Sequence, residues 1–260
     1  MSTLSHTMSD STTMLRRSLR HLQRYPVTMI VSLGIPVLLL LLFVGVFGGA
    51  LGAGLGDAQG DYIDFVLPGI LLMTVGYGSS STSLSVNRDV TEGIITRFRT
   101  MAISRVSVLT GHVVAAMLRT MLSVGLVIGF AFLLGFSPVA DFGDWLAVIG
   151  VLALVVFALT WLAVAIGLSA RNAEGTTSFA LVVQVLPFIS SAFVTTESMS
   201  GAVRWFAQNE PFTPIIDTVR SLLLGTPMGN SAVLAVSWCV GLALVGYVWA
   251  RAVFRRDPVR

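Results

Sequence analysis

Val37–Val44 reads VLLLLLFV, eight consecutive apolar residues. A transmembrane barrel strand would alternate apolar and polar side chains, whereas a helix of these residues is apolar on every face. The run continues from residue 27 to residue 56 without a charge. Five more charge-free runs follow, at 65–87, 120–140, 145–170, 175–196 and 221–250. A hydrocarbon layer about 30 Å thick takes roughly 20 helical residues to cross, and only helices or closed barrels satisfy their backbone there. The chain is therefore expected to be an all-α polytopic membrane protein, a single domain over 1–260. Its six transmembrane helices are placed at about 27–47, 63–86, 112–135, 145–169, 176–195 and 231–250.

Composition agrees and narrows the chemistry. Of 260 residues, 55% are hydrophobic and 11% charged, under half the share of roughly 25% in soluble domains. All 16 basic residues are arginine. Without lysine there is no Walker A loop, no Schiff base and no Ser-x-x-Lys nucleophile. Cys239 is the sole cysteine, and His6, His21 and His112 show no ligand spacing, so neither a metal site nor a catalytic residue is expected. The net charge of +3 would suit nucleic acid, but thirteen of the sixteen arginines fall on one side of the six spans. The positive-inside rule makes that side cytoplasmic, with both termini there. The bilayer, not nucleic acid, is the expected partner surface.

Residues 1–13 are polar and predict a disordered leader. Residues 14–25, with Arg16, Arg17, Arg20 and Arg24 around an apolar face, predict a helix lying at the cytoplasmic interface. Pro36 and Pro187 mark kinks, and Pro68-Gly69 an interruption early in span two. The inner half of that span carries Gly76, Gly78, Ser79, Ser80 and Ser83. Small residues there permit close helix packing; the other reading is a wall of a pathway or a dimer face. Arg119 reads either as snorkelling to the headgroups or as a buried partner.

Two loops carry amphipathic signals. In 87–105, Ile94, Phe98 and Met101 form an apolar stripe, flanked by Asp89, Glu92, Gly93, Arg97 and Arg99. Such a cytoplasmic helix could dock into a partner's groove or lie on anionic headgroups. In 196–230, Ser200–Gln208 predicts one short helix, and Thr213-Pro214 reads as the cap and first residue of a second, which Gly225 stops. Together they predict an extracellular re-entrant hairpin before the last span. Asp217 and Arg220, three apart, read as an interfacial pair.

These pieces, in this order, resemble the permease subunits of type-2 ABC exporters of the daunorubicin-resistance branch. Arg17, Arg24-Tyr25-Pro26, Pro36, Phe43 and Phe47-Gly48-Gly49 match around span one, and Tyr62, Phe65 and Pro68-Gly69 around the entry to span two. Asp89, Gly93, Arg97-Phe98-Arg99 and Ile103-Ser104-Arg105 match the inner motif. Ala173-Glu174-Gly175 matches the turn before span five. Asn209, Pro211-Phe212-Thr213, Asp217, Arg220 and Leu223-Leu224 match the signature before span six. Ala102, Thr195 and Ser200 depart from the pattern, standing where the family commonly has proline.

The resemblance implies an export permease, itself no enzyme, working in the cell membrane with two ABC ATPase subunits and a second permease copy, as a homodimer or a heterodimer. It implies that ATP and Mg are bound by the ATPases, and that Asp89, Glu92, Gly93, Arg97, Phe98, Arg99 and Met101 couple to them. Asn209, Pro211, Phe212, Asp217 and Arg220 would shape an outer hairpin or gate for an amphiphilic drug, antibiotic or lipid-like substrate. The alternative is a self-sufficient carrier or channel, although such proteins commonly place acids within their spans. A third reading is an intramembrane hydrolase using Ser79–Ser81 with His112, which needs those side chains within hydrogen-bond reach.

Overall fold

The computed structural model describes residues 26–49, 61–93, 105–170 and 172–255. The leader 1–13, the interfacial segment 14–25 with Arg16, Arg17, Arg20 and Arg24, and the coupling residues Arg97, Phe98, Arg99 and Met101 lie outside them. Helix α1, Pro26–Leu41, runs through Pro36 and widens into a π-turn at Leu42–Val46. Helix α2, Asp61–Thr91, is followed by α3, Arg105–Leu133, and α4, Phe142–Ser169. Helix α5, Ala173–Val185, tightens into a 3-10 turn at Leu186–Ile189. A 3-10 turn at Thr196–Ser198 leads to α6, Gly201–Asn209, then α7, Phe212–Leu224, and α8, Ser231–Arg255. Among the described residues there is no strand.

Four of these helices are long and apolar enough to cross a membrane: Tyr62–Thr91, Thr110–Leu133, Phe142–Ser169 and Ser231–Phe254. Shorter apolar helices, Gly34–Val46 and Ala173–Ile189, stand where spans one and five were expected. Span five ends early because Pro187 cannot donate to the α-ladder, so the chain turns 3-10 and leaves the helix at Ser190.

Local chemistry explains several boundaries. Asp141 and Asp144 build a capping box: the Asp144 amide donates to Asp141 Oδ1 at 2.8 Å and the Asp141 amide to Asp144 Oδ2 at 3.1 Å. This starts α4 at Phe142, three residues before Trp145. Asn172 caps α5 through the Gly175 amide. Gly225, at φ 65°, ends α7 in the left-handed region, where glycine carries no Cβ penalty.

The expected interruption at Pro68-Gly69 does not occur. Helix α2 runs unbroken through both residues, and Gly69 instead brings α2 against the turn after α5. A Cβ on Gly69 would lie 2.5 Å from the Ala192 Cβ. Helix α2 also continues past Asp89 to Thr91, and α3 begins at Arg105.

Helix α2 is the axle of the bundle, packing against α1, α3, α4, α5 and α7, while α8 packs chiefly on α4. Val66, Leu67, Ile70, Leu71, Leu72 and Val75 are wholly buried along it.

Candidate functional site

The Thr91 end of α2 gathers part of the expected coupling segment. Asp89 Oδ2 lies 3.3 Å from His112 Nε2 on α3, an ion pair when the imidazole is protonated. Two residues earlier, buried Asn87 donates to the Ala170 carbonyl at 2.7 Å and the Gly167 carbonyl at 3.3 Å, sealing the end of α4 to α2. Glu92 is exposed, and Gly93 turns the chain at φ 70°. Asp89, Glu92 and Gly93 thus sit together where the chain leaves the bundle.

The run of small residues is spent on contacts within the chain. Gly76 abuts Val183 of α5, and a Cβ on Gly78 would come within 2.3 Å of Thr120 Oγ1 on α3. Gly167 of α4 seats itself against the Ser83 carbonyl, 2.6 Å from where its Cβ would be. Ser79 and Ser80 donate to the Gly76 carbonyl at 2.9 and 2.8 Å, and Ser81 and Thr82 to that of Gly78 at 2.9 Å. Hydroxyls bonded back onto their own helix can lie in an apolar medium. Ser83 is fully buried. His112 faces Asp89, while Ser79–Ser81 bond to backbone carbonyls, so the serine–histidine dyad is not assembled.

Arg119 reaches sideways to the neighbouring helix. Its Nη2 donates to Ser81 Oγ at 3.0 Å and Thr82 Oγ1 at 3.1 Å, holding the guanidinium across to α2.

At the opposite end of the bundle Arg220 joins three elements. Its Nη1 meets Asp217 Oδ1 at 2.8 Å, Nε and Nη2 each donate to the Phe65 carbonyl at 3.2 Å, and Nη2 donates to the Ser191 carbonyl at 2.6 Å. The guanidinium also covers the Phe65 ring at 3.9 Å. Ser191 Oγ donates to Asp217 Oδ1 at 2.7 Å. With its side chain 13% exposed, Arg220 is no ordinary interfacial partner but the hub of this end.

Sequence reasoning missed Glu210. Its carboxylate accepts from the amides of Phe212, at 2.7 Å, and Thr213, and so caps α7. The helix therefore begins at Phe212, not after Thr213, whose hydroxyl instead accepts the Ser191 amide at 3.2 Å. Burial pushes the Glu210 carboxyl up to about 7, against the pull of those amides. The spacing Glu210-x-Phe212-Thr213 was the available signal, a carboxylate just ahead of helical amides. Phe212 is buried, Pro211 half-buried, and Asn209 exposed, its amide donating to the Trp205 carbonyl at 2.7 Å. A cleft of about 530 Å³ is lined by Val44, Gly48, Tyr62 and Leu134 among others.

Apolar helices long enough to cross a bilayer, with polar groups used as joints between them, are those of a polytopic membrane protein. The sequence model of the ABC-2 type transporter family matches residues 10–224, and the chain belongs to that family as a permease, the membrane subunit of an ABC transporter. It is 30% identical over 251 residues, 95% of this chain and 83% of the relative, to the daunorubicin resistance ABC transporter permease protein DrrB1 of Streptomyces coeruleorubidus. It is 24% identical over 197 residues, 74% of this chain and 69% of the relative, to the probable doxorubicin resistance ABC transporter permease protein DrrC of Mycobacterium tuberculosis.

Proposed function

We propose that this permease is the path-forming part of an ATP-driven exporter that moves an amphiphilic drug, antibiotic or lipid-like molecule out of the cell. The observation that carries the reading is the match along 95% of the chain to a daunorubicin resistance permease. In this reading six helices cross the cell membrane with both termini cytoplasmic, and α6 and α7 form a re-entrant outer hairpin. Two ATPase subunits bind ATP and Mg, the permease itself hydrolysing nothing. A second permease copy, identical or homologous, completes the path. The absence of lysine from all 260 residues supports this division, since a phosphate loop needs one. Asp89, Glu92 and Gly93, at the inner end of α2, lead into the segment carrying Arg97, Phe98, Arg99 and Met101, which would receive the push of the ATPases.

Co-expression with a candidate ABC ATPase subunit, followed by reconstitution, tests this. Proteoliposomes should take up daunorubicin with ATP and fail to do so when the ATPase carries an inactivated phosphate loop. Arg97→Glu and Phe98→Asp should keep the complex together yet uncouple hydrolysis from uptake. Uptake by the permease alone, without ATPase, would instead make it a self-sufficient carrier.

A further inference from the structure

We propose that Arg119 and the polar stripe beside it on α2 form a binding site for the anionic, phosphate-bearing headgroup of a membrane amphiphile. His112, paired with Asp89, marks the inner end of the α2–α3 joint. Arg119 stands seven residues further along α3, about 10 Å deeper at 1.5 Å per residue. An arginine at that depth in hydrocarbon costs roughly 3 kcal/mol even by the mildest scale, so an unmatched charge there calls for a counter-charge. The acceptors it has are the hydroxyls of Ser81 and Thr82, and both take their bond from Nη2. Among the described residues Nε and Nη1, two donors of a planar fork suited to an oxyanion, have no acceptor.

A second observation shows where the ligand would lie. Around most of its girth α2 is enclosed, yet Ser81, Ser85 and Arg88 are exposed and Tyr77 is half-exposed. Spaced i, i+4, i+8 and i+11, these four share one face. A polar face turned out of the bundle is the reverse of what lipid-facing helices show. On either side of Arg119 along α3, Val114, Leu118 and Leu122 are 44%, 50% and 48% exposed. A cation and hydroxyls bordered by an open apolar wall suit one kind of molecule, an anionic head on a hydrocarbon body. Small residues have no part in this: Gly76, Gly78 and Ser83 are used in packing, and the site is their exposed neighbour.

The test uses the full-length permease in detergent, titrated with phosphatidylglycerol or with diacylglycerol of the same acyl chains, bound lipid being counted by native mass spectrometry. The wild type should retain phosphatidylglycerol about tenfold better, the worth of one good charge-assisted contact. Arg119→Gln should abolish that preference and Arg119→Lys should keep part of it. Should Arg119→Gln misfold, Ser81→Asp decides: its carboxylate pairs with Arg119 internally, so the variant should melt no lower than wild type and lose the preference. Equal retention of the two lipids by wild type, or an unchanged preference in folded Arg119→Gln or Ser81→Asp, overturns the proposal. So does displacement of the lipid by millimolar inorganic phosphate, which would make the ligand a free anion. Binding is read without the ATPase, so failure of the export reading leaves this result standing. A second arm does rest on that reading. ATP-dependent movement of fluorescent phosphatidylglycerol in proteoliposomes identifies the headgroup as the cargo's, and binding without movement identifies a resident lipid; either supports the site.

Discussion

Arg220 is held by partners that no local reading could find. Its pairing with Asp217, three positions earlier, follows from helical spacing, but Phe65 and Ser191 lie 155 and 29 residues away. Arg220→Met would strand two carbonyls and a carboxylate in a largely buried spot. The detergent-solubilised protein should lose on the order of 3 kcal/mol, seen as a lower melting temperature, and Arg220→Lys should restore only part because an ammonium cannot make the fork. Glu210 belongs to the same neighbourhood and gives a pH signature. Its folded carboxyl sits near 7 against an ordinary 4.5. The folded state therefore holds the proton more tightly, and this contribution to stability is full below 4.5 and lost as pH rises through about 7. Melting temperature should fall across that window in wild type, and the fall should flatten in Glu210→Gln. An unchanged slope would mean that Glu210 is already ionised in the folded protein. Thr213 misled the sequence reading because Thr-Pro is a common helix start; the buried carboxylate three residues earlier takes the Phe212 and Thr213 amides and starts the helix before Thr213 can cap it.

At the level of elements, hydropathy was enough to find the long helices, and small-residue composition was enough to mark close approaches. Which helices would meet was not legible, since a glycine records closeness and not the identity of its neighbour. Gly246 is the sharpest case. A Cβ there would lie 2.6 Å from the Leu162 amide nitrogen and 2.8 Å from the Trp161 carbonyl carbon, both backbone atoms that cannot turn aside. Gly246→Ala should part α8 from α4 and destabilise by about 1–3 kcal/mol. Gly241→Ala, on the same helix with nothing within 4 Å, should be neutral or gain up to about 1 kcal/mol from helix propensity. Thermal unfolding of the pair checks both. Helix ends were the least legible: charged residues such as Asp89 look like loop until His112 supplies a partner, and only then does α2 extend to Thr91.

Over the whole molecule the usual ordering of polarity is inverted. Of the four long apolar helices, α2 is the least hydrophobic and the most enclosed, while α8 is the most open. Large apolar side chains on α8 face outward, with Trp238 and Trp249 40% and 39% exposed, whereas Trp161 of α4 is 4% exposed. Single-tryptophan variants in vesicles of acyl-brominated lipid should therefore show strong quenching at 238 and 249 and little at 161. Strong quenching at 161 would mean that α4 is not shielded as described. The central place of α2 also bears on how the protein is made. The carbonyls that receive Asn87 belong to residues 80 and 83 positions downstream, and the guanidinium that donates to the Phe65 carbonyl arrives 155 residues later. An early helix carrying serines, an asparagine and charges must therefore sit in or beside the insertion machinery while its neighbours are still being translated. Synthesis and assembly run in different orders: the first long helix to leave the ribosome is among the last to be fully enclosed.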